Sequence, residues 1–406
     1  MKKSVFDAVI IGGGVTAHFI ARRLLKRGFS GAVVERNDEM ANAPSTRNEG
    51  WLHCGSYHAW AIDDRQTAVN VARRCIYGHE QIIRDYPDAV VEEFLTPSLA
   101  VLNDQSKQGE LEERWSAAGV AYRPLSILVA KQLAPQFAFP SNAVAFEVRE
   151  RAMNTRVLLD AILTECAAHE AVVPNYFELL LGTTPIRFED DNTLLVQDNR
   201  NGKRRLTAKV FIYCAGAGMA DLMRRLHQVE LPLRRFKTPL MTTRRLPGAN
   251  IVCLLEREVT LMNHGGFSTI GLTRDNVLEG TDDEQKLFRQ RKHLLQTTAR
   301  KFFGSDVPEL QTYCCTKVDF GSTTAFPDLE AQWREPIRNR FCVIPGKMTE
   351  APFIADKLEV VIWQRLNNSP VAMRPGDKIL KRESTDKARA AMLESQHQPL
   401  EQGWTS

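Results

Sequence analysis

Three glycines and one acid carry the first chemistry legible in this chain. Gly12, Gly13 and Gly14 follow the apolar run Val5-Phe6-Asp7-Ala8-Val9-Ile10-Ile11, and Ala17 and Glu35 complete the spacing. Gly12 permits a tight turn. Gly14 lets a pyrophosphate approach the backbone, and Ala17 is small enough for a helix to pack on strands. The helix N-terminus faces the phosphates, and Glu35 can accept hydrogen bonds from a ribose hydroxyl pair. Glycine spacing by itself is weak evidence. Here an apolar strand precedes it, a helical stretch follows, and Gly31-Ala32-Val33-Val34 leads directly into Glu35. The expectation is a dinucleotide site in an α/β fold.

Three further segments could continue such a site. Ser45-Thr46-Arg47-Asn48-Glu49-Gly50-Trp51-Leu52-His53-Cys54-Gly55 is polar and glycine-containing and follows the ribose-binding acid. It reads either as a surface loop or as the place where a long cofactor runs on past its pyrophosphate. Val210-Phe211-Ile212-Tyr213-Cys214-Ala215-Gly216-Ala217-Gly218 is a buried strand ending in small residues. It suits close approach of backbone to a ligand, or a strand-to-helix turn with no ligand. Phe341-Cys342-Val343-Ile344-Pro345-Gly346-Lys347-Met348-Thr349-Glu350-Ala351-Pro352 is a strand, a glycine and a helix start. Its N–H groups can face an anionic ring edge.

The elements that must position these residues follow from periodicity. Helices are expected near Thr67–Tyr86, over Leu111–Gly119, over Asn154–His169 with Asn154 or Thr155 as cap, and over Asp283–Phe303. Val91–Asn103 alternates as a hairpin, with Leu99–Leu102 its best strand, and Ala130–Pro140 is a proline-marked connection. Short strands are expected at Ala171–Val173, Thr184–Glu189, Thr193–Gln197 and Arg205–Ala208, with a turn at Asp198–Gly202. From Leu231 to Phe326 the chain turns β-rich, at Lys237–Thr243, Ile251–Leu255, Thr260–Met262, Phe267–Leu272 and Gln311–Phe320. That block reads as a substrate domain inserted between parts of the cofactor domain. Residues 1–90, 145–230 and 338–368 are assigned to the cofactor domain and 91–144 and 231–337 to the substrate domain. Residues 369–406 are assigned to a polar tail with a loosely packed helix.

Bulk properties exclude several classes. A net charge of +4 over 406 residues is too small to argue for nucleic acid, and 43% hydrophobic with 25% charged residues is ordinary for a globular enzyme. Arg22, Arg23, Lys26 and Arg27 read as the solvated face of the first helix. No apolar run approaches the length of a membrane span, and Met1-Lys2-Lys3 leads directly into a strand, so no signal peptide is expected. Eight cysteines lie scattered without metal-ligand spacing. No metal site and a reducing, cytoplasmic setting are therefore expected. Cys314 and Cys315 read as two small residues of a buried strand.

The four segments, in this order, resemble the FAD-dependent oxidoreductases of the D-amino-acid oxidase (DAO) superfamily. The stretch from Ser45 to Gly55 is most similar to the branch of L-2-hydroxyglutarate oxidases and glycerol-3-phosphate dehydrogenases, whose Ser-x-Arg-Asn-x-Gly-x-x-His-x-Gly pattern it repeats. Cys214-Ala215-Gly216 and Gly346-Lys347-Met348-Thr349 match two later motifs of that family. The similarity runs from residue 1 to about 365 and is thin in the substrate domain. It implies an α/β fold: an FAD-binding Rossmann-like (GR2-type) domain with an inserted α+β substrate domain built on an antiparallel sheet. By the same resemblance, Gly12, Gly13, Gly14, Ala17 and Glu35 hold the ADP half of FAD and Arg36 flanks the adenosine. Ser45, Thr46, Arg47 and Asn48 line the path to the flavin, and His53 and Gly55 lie beside the isoalloxazine. Ala215 and Gly216 touch the ADP side, and Gly346, Lys347, Met348 and Thr349 the pyrimidine end. Glu49, Trp51 and Cys54 depart from the usual branch residues, which implies a differently shaped pocket. FAD is expected to be bound without a covalent bond.

The implied reaction transfers a hydride from a small substrate to flavin N5 while a base takes a proton. A 2-hydroxy acid or polyol phosphate is the leading substrate class. The alternatives are an amine or amino acid, or a substrate carried by a partner protein. Oxygen or a quinone-type carrier would take the electrons onward. His53 is the first candidate base, and a structural hydrogen bond is its other reading. His264 is the next candidate, and its other reading is a turn residue. A carboxylate substrate needs an Arg or Lys, for which Arg274, Lys237 and Arg235 are candidates or plain surface charges.

Overall fold

The protein is described from a computed structural model covering residues 3–42, 44–91, 97–171, 176–254, 259–272, 277–278, 284–304, 307–320 and 332–367. Its described residues fall into two compact units. One comprises 3–46, 156–233 and 332–367, the other 47–155 and 234–320.

The first unit is built on an eight-stranded sheet. Strand Lys3–Ile11 lies between Gly31–Val34 and Lys203–Tyr213, parallel to both. Phe177–Leu180 extends one side in parallel, and Arg340–Ile344 pairs in parallel with the end of Lys203–Tyr213. Antiparallel strands Thr183–Asp190, Thr193–Asp198 and Gln332–Ile337 complete it. Strands buried on both faces need unbroken apolar runs, and Ala8–Ile11, Ala32–Val34 and Val210–Tyr213 are almost fully buried. The first helix, Val15–Lys26, buries ten of its twelve residues. It packs on the last helix, Ala351–Asn367, where Arg23 pairs with Asp356 and Arg27 with Glu359.

The register has one consequence for function. Ile11 lies opposite both Val34 and Tyr213, and Tyr213 lies opposite Cys342. Four parallel strands thus end at one sheet edge. Gly12, Glu35, Cys214–Gly216 and Gly346 emerge there together. Ligands of open α/β sheets bind at such carboxyl edges.

The second unit carries a nine-stranded sheet in which Asn250–Cys253 pairs in parallel with Ser98–Leu102 and antiparallel with Val259–His264. A three-stranded sheet joins Trp51–Leu52, Arg151–Met153 and Val90–Val91. Ser98–Leu102 is buried throughout because both sheet faces are covered. Ala100 and Leu102 pack with Trp115 and Phe146, while Leu99 and Val101 pack with Leu295 and Phe303 of helix Glu284–Phe303.

Several expectations need correction. Val91–Asn103 is not a hairpin: Val91 pairs with Ala152, and Ser98–Leu102 pairs with Val144–Val148 and Asn250–Cys253. The connection at Ala130–Pro140 begins inside a helix, Ile127–Leu133, whose cap Ser126 accepts from the Val129 N–H at 3.3 Å. Residues 47–90 and 145–155, expected with the cofactor domain, pack in the second unit, and residues 231–233 and 332–337, expected with the substrate domain, pack in the first. Trp51, Cys54, Tyr57, Ala59 and Val69 share one apolar cluster with Trp115, Phe146 and Val148. Ala171 lies in a turn, and Val172–Val173, Leu255, Arg274 and the tail fall outside the described residues.

Candidate active site

The glycine turn is fixed by sterics and by one carboxylate. Gly12 has φ +105°, and a Cβ there would sit 2.6 Å from the Cys214 carbonyl oxygen. Only glycine fits such a turn. The Gly13 N–H donates to Glu35 Oε2 at 2.7 Å. Glu35 is buried, and its Oε1 accepts from the Asn37 N–H at 2.9 Å and from Asn37 Nδ2 at 2.7 Å. Three of about four acceptor positions of this carboxylate thus serve the protein itself. Arg36, next in the chain, is exposed.

The chain after Glu35 folds back on the turn. Ala41 N–H donates to the Gly13 carbonyl at 2.9 Å, and Thr46 Oγ1 donates to the Ala41 carbonyl at 2.7 Å. Gly14 caps the first helix in extended conformation, and Ser45 Oγ accepts from the Val15 N–H at 3.0 Å. No acidic residue occupies the helix's first turn, so its positive end is not neutralised from within. Ala17 is fully buried against the sheet. His18 Nδ1 lies 2.9 Å from the Gly14 carbonyl, and burial pulls its pKa down to about 4.

The other motifs at this edge leave room. A Cβ on Gly216 or Gly218 would meet nothing within 4 Å, and Gly216 takes φ +51° after Ala215. Gly346 has φ +71°, and the buried Lys347 lies 3.2 Å from Glu350 Oε1. Met348, Thr349 and Glu350 form a single 3₁₀ turn that starts the last helix, with Thr349 fully buried. A helix start without an acid in its first turn, an open glycine cradle and a buried acid on one strand edge fit the ADP half of a dinucleotide.

In the second unit the stretch from Arg47 to Gly55 is held from several sides. Arg47 is half-buried. Asn48 Oδ1 accepts from the Gly50 N–H at 2.8 Å, and its carbonyl accepts from Tyr313 Oη at 3.2 Å. His264 Nε2 lies 2.9 Å from the Glu49 carbonyl, and its ring stacks on Phe267. Gly50 makes that approach possible: its φ is +62°, and a Cβ would lie 2.5 Å from His264 Cε1. Gly55, at φ +91°, passes so close to helix Arg65–Asp85 that a Cβ would meet the Ala72 carbonyl at 2.8 Å. The Glu49 carboxylate lies 3.6 Å from Lys317 Nζ.

Sequence reasoning missed the residue that organises this loop. Glu150, with no exposed surface, accepts from Trp51 Nε1 at 2.6 Å and the Cys54 N–H at 2.8 Å on Oε2. Its Oε1 accepts from the Ser56 N–H at 3.2 Å and Ser56 Oγ at 2.5 Å. His53 Nδ1 lies 4.0 Å from Oε2, and the His53 ring packs 4.1 Å from Trp51 and 4.6 Å from His58 between centroids. Burial pushes the Glu150 carboxyl up, against the pull of its donors, and burial with Glu150 beside it pushes the Cys54 thiol well up. No spacing signal marks Glu150, since its partners lie more than ninety residues earlier. Arg235 and Lys237 are half-buried on strand Leu233–Arg244. Among the described residues, no group of His, Cys, Asp or Glu is placed to hold a metal, and no helix is long and apolar enough to cross a membrane.

The pattern of the FAD dependent oxidoreductase (DAO) family matches residues 7–337, and the chain belongs to that family. Its fold is that of solved flavoenzymes of the family, with one Rossmann-like unit and a second unit built on a largely antiparallel sheet. Over 78 residues it is 37% identical to one subunit of the anaerobic glycerol-3-phosphate dehydrogenase of Escherichia coli (strain K12), a match covering 17% of this chain and 14% of that protein. Over 58 residues it is 36% identical to the mitochondrial L-2-hydroxyglutarate dehydrogenase of Dictyostelium discoideum, covering 14% and 13%. These matches span only a small part of either relative. The L-alpha-glycerophosphate oxidase of Mycoplasma pneumoniae, solved with FAD bound, superposes with a TM-score of 0.67 at 17% identity, over 92% of this chain and 97% of that one.

Proposed function

We propose that this oxidoreductase acts on a small 2-hydroxy acid or polyol phosphate, with FAD held non-covalently. Bound FAD supplies the two-electron acceptor that takes a hydride at N5. In this reading Gly12, Gly13, Gly14 and Glu35 bind the ADP half with Ala215 and Gly216. The stretch Arg47–Gly55 serves the flavin end, and His53 takes the substrate's hydroxyl proton. The observation that carries the reading is the anchoring of the Asn48–Ser56 loop around His53. A loop held on so many hydrogen bonds fixes the place of His53 before substrate arrives. The partial likeness to glycerol-3-phosphate and L-2-hydroxyglutarate dehydrogenases supports the substrate class.

A second reading, an amine or amino acid, is favoured by the Glu49–Lys317 pair. A carboxylate and an ammonium side by side could meet a zwitterion's two ends. Anaerobic reduction of the flavin by glycerol 3-phosphate, L-2-hydroxyglutarate and a set of amines and amino acids separates the two. Bleaching by the first pair supports the leading reading, and bleaching by amines alone overturns it for the second. Oxygen or a quinone-type carrier is the proposed onward acceptor, and reoxidation rates under air test the former.

A further inference from the structure

We infer that Glu150 is the positioning residue for His53. The inference rests on the proposed role of His53 as the base. Its grounds are geometric and lie within the second unit. One carboxylate with no exposed surface collects four donors from Trp51, Cys54 and Ser56, the residues on either side of His53. The loop therefore closes around a single anionic centre, with the imidazole on its rim. Nδ1 of His53 stands 4.0 Å from Oε2, too far for a hydrogen bond and close enough for a charge to be felt.

This placement matters during the reaction. The substrate loses a hydride from carbon to the oxidised flavin and a proton from its hydroxyl to His53, leaving a carbonyl product and an imidazolium. A carboxylate behind that imidazolium stabilises the charge that appears on it. A buried Glu that served the fold alone would influence stability and leave the rate of hydride transfer per bound flavin unchanged.

The experiment is a double-mutant cycle on the holoenzyme. Flavin reduction is followed by anaerobic stopped flow with glycerol 3-phosphate or L-2-hydroxyglutarate, normalised to bound FAD. Glu150→Gln removes the charge at nearly the same volume and turns one acceptor oxygen into a donor facing the loop's own donors, a cost that the His53→Asn background carries equally. It is expected to lower the limiting reduction rate roughly ten- to hundred-fold, with the substrate concentration at half-maximal rate changing less than about three-fold. In a His53→Asn background the same change is expected to cost less than about three-fold more. If Glu150→Gln does not retain FAD, Ser56→Ala carries the test: it removes one donor, leaves the charge, and is expected to slow reduction about three- to ten-fold only when His53 is present. An equal slowing in both backgrounds, or a normal rate in Glu150→Gln, overturns the inference while leaving His53 as base. A normal rate in His53→Asn, or no reduction by either substrate, overturns the reading beneath it and the inference with it.

Discussion

The amide of Gly13 and the carboxylate of Glu35 are joined by a 2.7 Å hydrogen bond across 22 residues of sequence. The glycine turn and the acid at the end of the second strand are therefore one structure, with Asn37 bracing the far oxygen.

Glu35→Ala should accordingly weaken FAD in two ways, by removing an acceptor for the ribose and by releasing the turn. A charge-assisted hydrogen bond of about 1.5–3 kcal/mol corresponds to a roughly ten- to hundred-fold loss of affinity. Titration of apoprotein with FAD measures it. An unchanged dissociation constant would mean that neither role matters to binding.

The flavin should leave the protein on acid or heat precipitation. The yellow supernatant should contain a species with the mass of FAD, over a colourless pellet. Cys54, the cysteine nearest His53 in the chain, is buried with its thiol pushed well up, a poor state for a nucleophile. A pellet that stays yellow would show a covalent link.

Gly50→Ala should disturb the loop that carries His53. The new Cβ meets His264 and the Met153 carbonyl in a conformation with φ +62° that alanine disfavours. A loss of about 1–3 kcal/mol in stability is expected, with slower flavin reduction per bound FAD. Thermal melts and stopped-flow traces check the two effects separately. A variant with both unchanged would show that His264 does not depend on this glycine.

Stability should fall as the solution is acidified from pH 7 to 5. Burial holds His18 and His79 at about 4, so both stay neutral in the folded protein. Once unfolded they regain the ordinary value of 6.5 and bind protons below it. The unfolded state therefore holds more protons between about 6.5 and 4, and stability is lost as pH drops through that window. At pH 5 the loss is about 2 kcal/mol for each histidine. Burial holds His227 at about 4 as well, so His18→Asn should flatten the dependence of Tm on pH by about a third. An unaltered slope would assign the effect elsewhere.

The sheet edge proposed for the cofactor is legible in the sequence because its signals are local. Gly12 stands between an apolar run and a helix, Glu35 closes the next strand, and Gly346 ends another. Parallel register does the rest, and it needs no further instruction once those strands lie side by side. The loop around His53 is legible as residues but not as a structure. What holds it comes from distant chain: Glu150 from the link between strands Val144–Val148 and Arg151–Met153, Tyr313 and His264 from other strands. The hairpin reading of Val91–Asn103 fails for a related reason. Ser98–Leu102 is apolar on both sides because two separate cores need it, and alternation cannot report that.

The strand Arg340–Ile344, seated beside Lys203–Tyr213, sets an order of events in synthesis. The edge that presents Gly12, Glu35 and Gly216 gains its last member, Gly346, about 130 residues after Gly216 has been made. A nascent chain carrying the whole N-terminal glycine motif thus has no finished cofactor edge to offer. On the proposed assignment of this edge to FAD, uptake at full strength would wait for residue 346, and a fragment ending before it would keep the signature while forfeiting the grip.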